Sequence, residues 1–169
     1  VKLVRVEAAY ALAVIGDPVQ ETLPVLVDAY RSADWWIRAF AVRILGEMGS
    51  PVGLYQPIEA FGWLDRFFMA VRNVKRLPDP AQQAVPLLIQ AVADPDYNVR
   101  RNATYALALV GAHAVTAIPT LVTALQATDI GPLAAEALAK IGEAALAPLH
   151  RCLQEGHEPA LGHAAYALK

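Results

Sequence analysis

The feature that most constrains this chain is a punctuation pair, a helix terminator followed eight residues later by a proline. It occurs four times: Gly16 with Pro24, Gly49 with Pro57, Pro78 with Pro86, and Gly111 with Pro119. The prolines are separated by 33, 29 and 33 residues. Eleven residues before the terminators stand Arg5, Arg38, Phe67 and Arg100, and eight before them Ala8, Ala41, Ala70 and Ala103. A register held over four copies at fixed offsets marks an internal repeat, and a period near 30 is that of a helical array.

The most regular copy runs from Asp96 to Gln126. Val99, Ala103, Ala106, Leu107 and Val110 fall at the i, i+3, i+4 spacing of one helical face, and Gly111 stands where a left-handed residue would end that helix. This is helix A. After a turn, Ile118, Leu121, Val122 and Leu125 make a second apolar stripe, helix B. Pro119 lies in its first turn, where a missing N–H costs least. Two such helices cannot bury their stripes alone, so each pair needs a neighbour on either side. A fifth copy reads Ala134, Ala137, Leu138, Ile141 and Gly142 for helix A, then Leu146, Leu149 and Leu153 for helix B. A sixth begins at Pro159. The expected organisation is one all-α domain over 1–169, with units at about 1–33, 34–63, 64–94, 95–127, 128–156 and a partial 157–169.

The segment DPDYNVRRNATYALALVGAHAVTAIPTLVTAL resembles a HEAT repeat, specifically the short HEAT-like type also found in phycobilin lyase subunits. DWWIRAFAVRILGEMG and VKLVRVEAAYALAVIG are similar to its first helix. The resemblance covers nearly the whole chain and is specific for architecture rather than activity. It implies a right-handed α-solenoid, with A helices on the convex side and B helices lining a concave surface.

With the prolines as anchors, one row along that concave side reads Asp28, Phe61, Gln90, Thr123 and Arg151, and its neighbour Val25, Ile58, Leu87, Thr120 and Pro148. Ile58, Phe61 and Leu87 make the N-terminal half apolar, while Gln90 and Thr123 lead into a polar half. Such a groove suits a partner helix or peptide held by apolar anchors within a hydrogen-bonding rim. The aromatic residues are concentrated too: all 3 Trp and all 4 Phe lie between Trp35 and Phe68, including Trp36, Phe40, Phe61 and Trp63. Two readings fit. Large side chains could fill the gap where the period shortens to 29, or they could form an exposed hot-spot patch.

Asp34 with Arg38, and Asp96 with Arg100, recur at one spacing, which points to structure rather than chemistry. The Asp is expected to cap helix A, and the Arg to reach carbonyls or an Asp of an adjacent unit. Catalytic material is thin. His113, His150, His157, His163 and Cys152 show neither zinc-finger nor i, i+4 ligand spacing, and the two serines, Ser32 and Ser50, fall in turns. No glycine-rich phosphate loop is present. No cofactor and no metal are expected.

With 14 basic and 16 acidic residues the net charge is −2, which disfavours a nucleic-acid binder; the one basic run, Arg66, Arg72, Lys75 and Arg76, falls on a helix A. No apolar run of about 18 residues suggests a membrane span. Val1 to Val14 is broken by Lys2, Arg5 and Glu7 and matches the repeat, so it is not read as a signal peptide. The single cysteine fits a reducing cytoplasm. The chain starts at a helix A position without Met and stops within a helix, as a fragment would, and neither end is polar enough to cap a solenoid. Lost neighbours or end-to-end self-association are therefore expected. The functional expectation is a non-catalytic scaffold binding another protein. A phycobilin lyase subunit or bilin chaperone is the alternative implied by the resemblance, and a DNA-binding HEAT-like protein is less favoured.

Overall fold

The computed structural model describes residues 2–15, 19–49, 78–156 and 158–169. Those residues are helical, with no strand among them. The α-helices are α1 (Lys2–Ile15), α2 (Val19–Tyr30), α3 (Trp35–Gly49), α4 (Pro78–Ala91), α5 (Tyr97–Val110), α6 (Ile118–Ala124), α7 (Gly131–Ile141), α8 (Leu146–Glu155) and α9 (Ala160–Ala167). Short 3-10 segments, Gly111–Ala117 and Glu143–Ala145, lead into α6 and α8.

Local chemistry sets the helix ends. Asp96 has extended backbone (φ −85, ψ 131), and its carboxylate accepts from the N–H groups of Asn98 and Val99, which caps α5. At the other end Gly111 adopts φ 58 and its N–H bonds to the Leu107 carbonyl; Gly142 closes α7 in the same way at φ 84. A side chain at either glycine would be strained. Pro119 lies in the first turn of α6, as the sequence suggests. Pro24 and Pro86 do not share that place. Both sit inside helices, α2 and α4, because these begin well before the proline, whereas the equivalent stretch ahead of Pro119 is 3-10 with a kink at Ala114 (φ −93, ψ 24).

The helices form two layers. α1, α3, α5, α7 and α9 stack on one side, each touching the next, and α2, α4, α6 and α8 occupy the other. The core runs unbroken along the interface, with Leu26, Ile44, Leu45, Leu88, Leu107, Leu121, Leu125, Leu138 and Leu149 at 1% exposure or less. Each such side chain contributes about 1.5–3 kcal/mol by leaving water. Small residues let backbones approach: Ala41, Ala103, Ala134 and Ala137 are fully buried, and a Cβ placed on Gly46 of α3 would overlap Ala106 of α5. Ala8, the expected first member of this small-residue series, is exposed, since no described helix packs on that side of α1. Tyr97–Ala124 is long and apolar enough to cross a membrane by length and composition alone. Its Val99, Ala103, Leu107 and Leu121 are buried among neighbouring helices, as in a core element.

α3 packs directly on α5, and α4 packs on both. The helices assigned within 50–77, on which the unit boundaries at 34–63 and 64–94 turn, lie outside the described residues. The helix-B stripe of the fifth unit is shifted in phase. Leu149 is buried, but Leu146 and Leu153 are 44% and 37% exposed, because Leu149 and half-buried Cys152 form the inward face of α8.

Candidate functional site: the second-helix groove

The repeated charged residues resolve into a structural ladder. Arg38 donates from Nη1 to the carbonyls of Ser32 and Ala33 at 3.0 and 2.9 Å, and from Nε and Nη2 to both oxygens of Asp94 at 2.9 and 3.0 Å. Arg100 repeats the pattern on the carbonyls of Asp94 and Pro95 at 2.9 and 2.8 Å and on the carboxylate of Asp129. Each guanidinium thus staples the turn preceding its own helix and reaches an acid of a later turn, the bidentate geometry for which arginine is suited. Burial alone would raise the Asp94 carboxyl. Hydrogen bonds from Arg38 and the Asp96 N–H outweigh it and hold the group below the usual carboxylate range. Asp129 is lowered chiefly by its bond from Arg100, and Tyr30 is raised by burial and then by Asp94.

Capping by Asp34 is not found. Its backbone carbonyl takes the Ile37 N–H at 3.2 Å, so that donor is already satisfied, and its carboxylate has no hydrogen bond among the described residues. Ser32 plays the part of Asp94 there, its Oγ accepting the Asp34 N–H at 3.3 Å. One further polar contact ties α3 to α5: buried Asn102 donates from Nδ2 to the Ala39 carbonyl at 3.1 Å.

Where the first helices press together, the second helices leave space. Between α6 and α8 lies an open groove of about 410 Å³. Its apolar lining comes from Ile118, Pro119, Val122, Pro148 and Ala160, and its polar lining from Thr123, Gln126, Arg151 and Glu155. Cys152, a free thiol, is half-buried within it. Ile118 and Val122 turn their other sides to the core, while Thr123, Gln126, Arg151 and Glu155 are exposed. The Thr123 hydroxyl donates to the Pro119 carbonyl at 3.1 Å.

Thr123 and Arg151, one row in the sequence alignment of second helices, meet in this groove together with Pro148 of the neighbouring row. Leu87 is half-buried and Gln90 exposed on α4, and neither lines the groove. Trp35 is 40% exposed at the start of α3, while Trp36 packs partly buried against the core. Ile58, Phe61 and Trp63, with the basic run Arg66 to Arg76, lie outside the described residues. Val122, Gln126 and Glu155 were not among the sequence candidates. The i+3 and i+4 neighbours of Thr123 and Arg151 include Gln126, in the turn after α6, and Glu155, so a helical wheel would have found these two; Val122, next to Thr123, belongs to the apolar stripe and reaches the groove edge-on.

His163 packs differently from a ligand residue. Its Nδ1 is 2.8 Å from the Leu125 carbonyl, which assigns that nitrogen the proton, and its ring occupies the space where a Cβ on Gly131 would be.

Stacked helix pairs with a continuous core, an arginine ladder and an open second-helix face define an α-solenoid repeat protein. The family model for HEAT repeats matches residues 2–56, 68–133 and 85–169, and the chain belongs to that family. A comparison with curated proteins gives no match.

Proposed function

We propose that this chain is a non-catalytic HEAT-repeat scaffold that binds another protein through its second-helix face. HEAT repeats commonly serve protein–protein interaction. One observation carries the reading for this chain: the groove between α6 and α8 combines apolar walls with exposed, differently charged polar groups. The buried charged residues elsewhere are consumed by structure, Arg38 with Asp94 above all. An apolar floor within a polar rim is the anatomy of a protein interface rather than of a reaction centre. Cys152 has neither a histidine nor an acid hydrogen-bonded to it among the described residues.

The test fills the groove. Thr123→Trp replaces an exposed residue, so the fold should persist by circular dichroism while the cleft loses its volume. Wild-type and variant chains are immobilised and exposed to lysate of the source organism, and bound proteins are identified by mass spectrometry. A protein retained by wild type and lost by the variant supports the reading; matching profiles place the binding surface elsewhere.

A further inference from the structure

We propose that the groove between α6 and α8 takes a short amphipathic helix of the partner protein, one that carries an acidic side chain for Arg151 and, one turn along, a basic side chain for Glu155. This rests on the reading of the groove as a protein-binding surface and adds the chemistry of its occupant.

The two charges are the ground for it. Arg151 and Glu155 both line the groove, four residues apart on α8, a rise of about 6 Å. Neither has an ion pair or side-chain hydrogen bond among the described residues, although their spacing would allow them to pair with each other. Arg43 and Glu47, at the same spacing on α3, approach to 4.0 Å, and Arg5 meets Asp28 at 3.9 Å. Helix stability does not account for Glu155 either. It is the last residue of α8, where the helix dipole disfavours an anion. With Arg N-terminal to Glu, the pair also has the weaker of the two i, i+4 orientations.

One cation and one anion on the same wall create no net field for a phosphate backbone or an anionic lipid surface, which points to a protein segment. Spacing chooses its form. Opposing charges about 6 Å apart lie at i and i+4 on a helix or i and i+2 on an extended segment. The groove walls are helices that leave no free backbone ladder for an extended segment, so a helix, which satisfies its own backbone, is the form chosen, with its apolar face toward Ile118, Val122 and Pro148. A volume of about 410 Å³ holds the anchor side chains of such a helix while its backbone rides above.

The probe is a phage-displayed library of helix-forming 16-residue peptides, selected on the full wild-type chain and eluted by competition with soluble chain. Enriched peptides are expected to carry Leu, Ile or Phe flanked by Asp or Glu and Lys or Arg four positions apart. Synthesised with a fluorescent label, they should bind the Arg151→Glu/Glu155→Arg double variant about tenfold more weakly, by fluorescence polarisation. Exchanging the two charges within the peptide should restore binding to the double variant and abolish it on wild type. Both substituted residues are exposed, so unchanged thermal midpoints serve as the folding control. Peptides that bind both chains equally but lose binding on Thr123→Trp overturn the charge pairing and leave the groove as a binding surface. If no selected peptide depends on Thr123, the occupant and the groove reading both fall.

Discussion

The guanidinium of Arg38 grips both oxygens of Asp94 at 2.9 and 3.0 Å, joining residues 56 positions apart. The two side chains are only 14% and 5% exposed. A charge pair withdrawn from water gives little net stabilisation against an apolar replacement, but removing one partner strands the other.

Asp94→Ala should therefore cost about 3 kcal/mol at neutral pH in urea denaturation. The cost should depend on pH with a definite sign. The folded state holds the Asp94 carboxyl below its usual range, so it binds that proton less readily than the unfolded chain does. The stabilisation is complete above the unfolded carboxyl value near 4 and is lost as pH falls through the lower folded value. The gap between wild type and variant should be flat from about pH 6 to 8 and shrink below about pH 4. A gap that grows in acid would contradict the pairing.

Gly46→Ala reverses a familiar rule. In an exposed helix interior the change stabilises by about 1 kcal/mol. Here the new methyl would enter the space of the Ala106 side chain, and overpacking should lower stability by about 1–3 kcal/mol. Ala106→Gly on the same chain should recover part of the loss, read as paired thermal midpoints.

Gly131 and His163 should be coupled. Gly131→Ala alone drives a methyl into the imidazole and should shift the midpoint down, whereas in a His163→Ala background it should cost much less, the Leu125 carbonyl at 3.1 Å being the one tight contact left. A double-mutant cycle should give an interaction energy of about 0.5–3 kcal/mol. Additive effects would mean that the ring does not occupy that space.

The architecture was legible because its signals are local. Gly111 needs a positive φ that only glycine adopts freely, and Asp96 caps the helix it precedes. That the arginines reach carbonyls and an acid of another unit could also be read from their spacing, but the acids proved to be Asp94 and Asp129, which belong to turns and not to the repeated motif. At Asp34 the Ile37 N–H goes to the Asp34 backbone carbonyl and not to its carboxylate, a choice among competing acceptors that residue type does not encode. The groove was half legible. Aligning second helices matched Thr123 with Arg151, yet the phase of α8 depends on which leucines find a neighbour, and Leu146 and Leu153 do not bury. The order of stacking was beyond reach of periodicity, since a repeat pattern reports that helices pair without saying which copies touch.

The direct contact of α3 with α5 also bears on how the chain reaches this structure. Arg100 closes on Asp129 across 29 residues, the span of one unit, while Arg38 closes on Asp94 across 56. Doubling a flexible span adds only about 0.6 kcal/mol of closure entropy, so the equilibrium cost is small. The order of events is affected far more. During synthesis the α5-facing side of α3 meets its native neighbour only when α5 emerges, after α2 and α4 have covered other sides of α3, while each later first helix meets its neighbour within one unit's length of chain. Among the described residues the α3–α5 seam, with the α2–α4 contact, thus joins the most widely separated stretches of chain, and it is a point at which a nascent chain needs protection from mispairing.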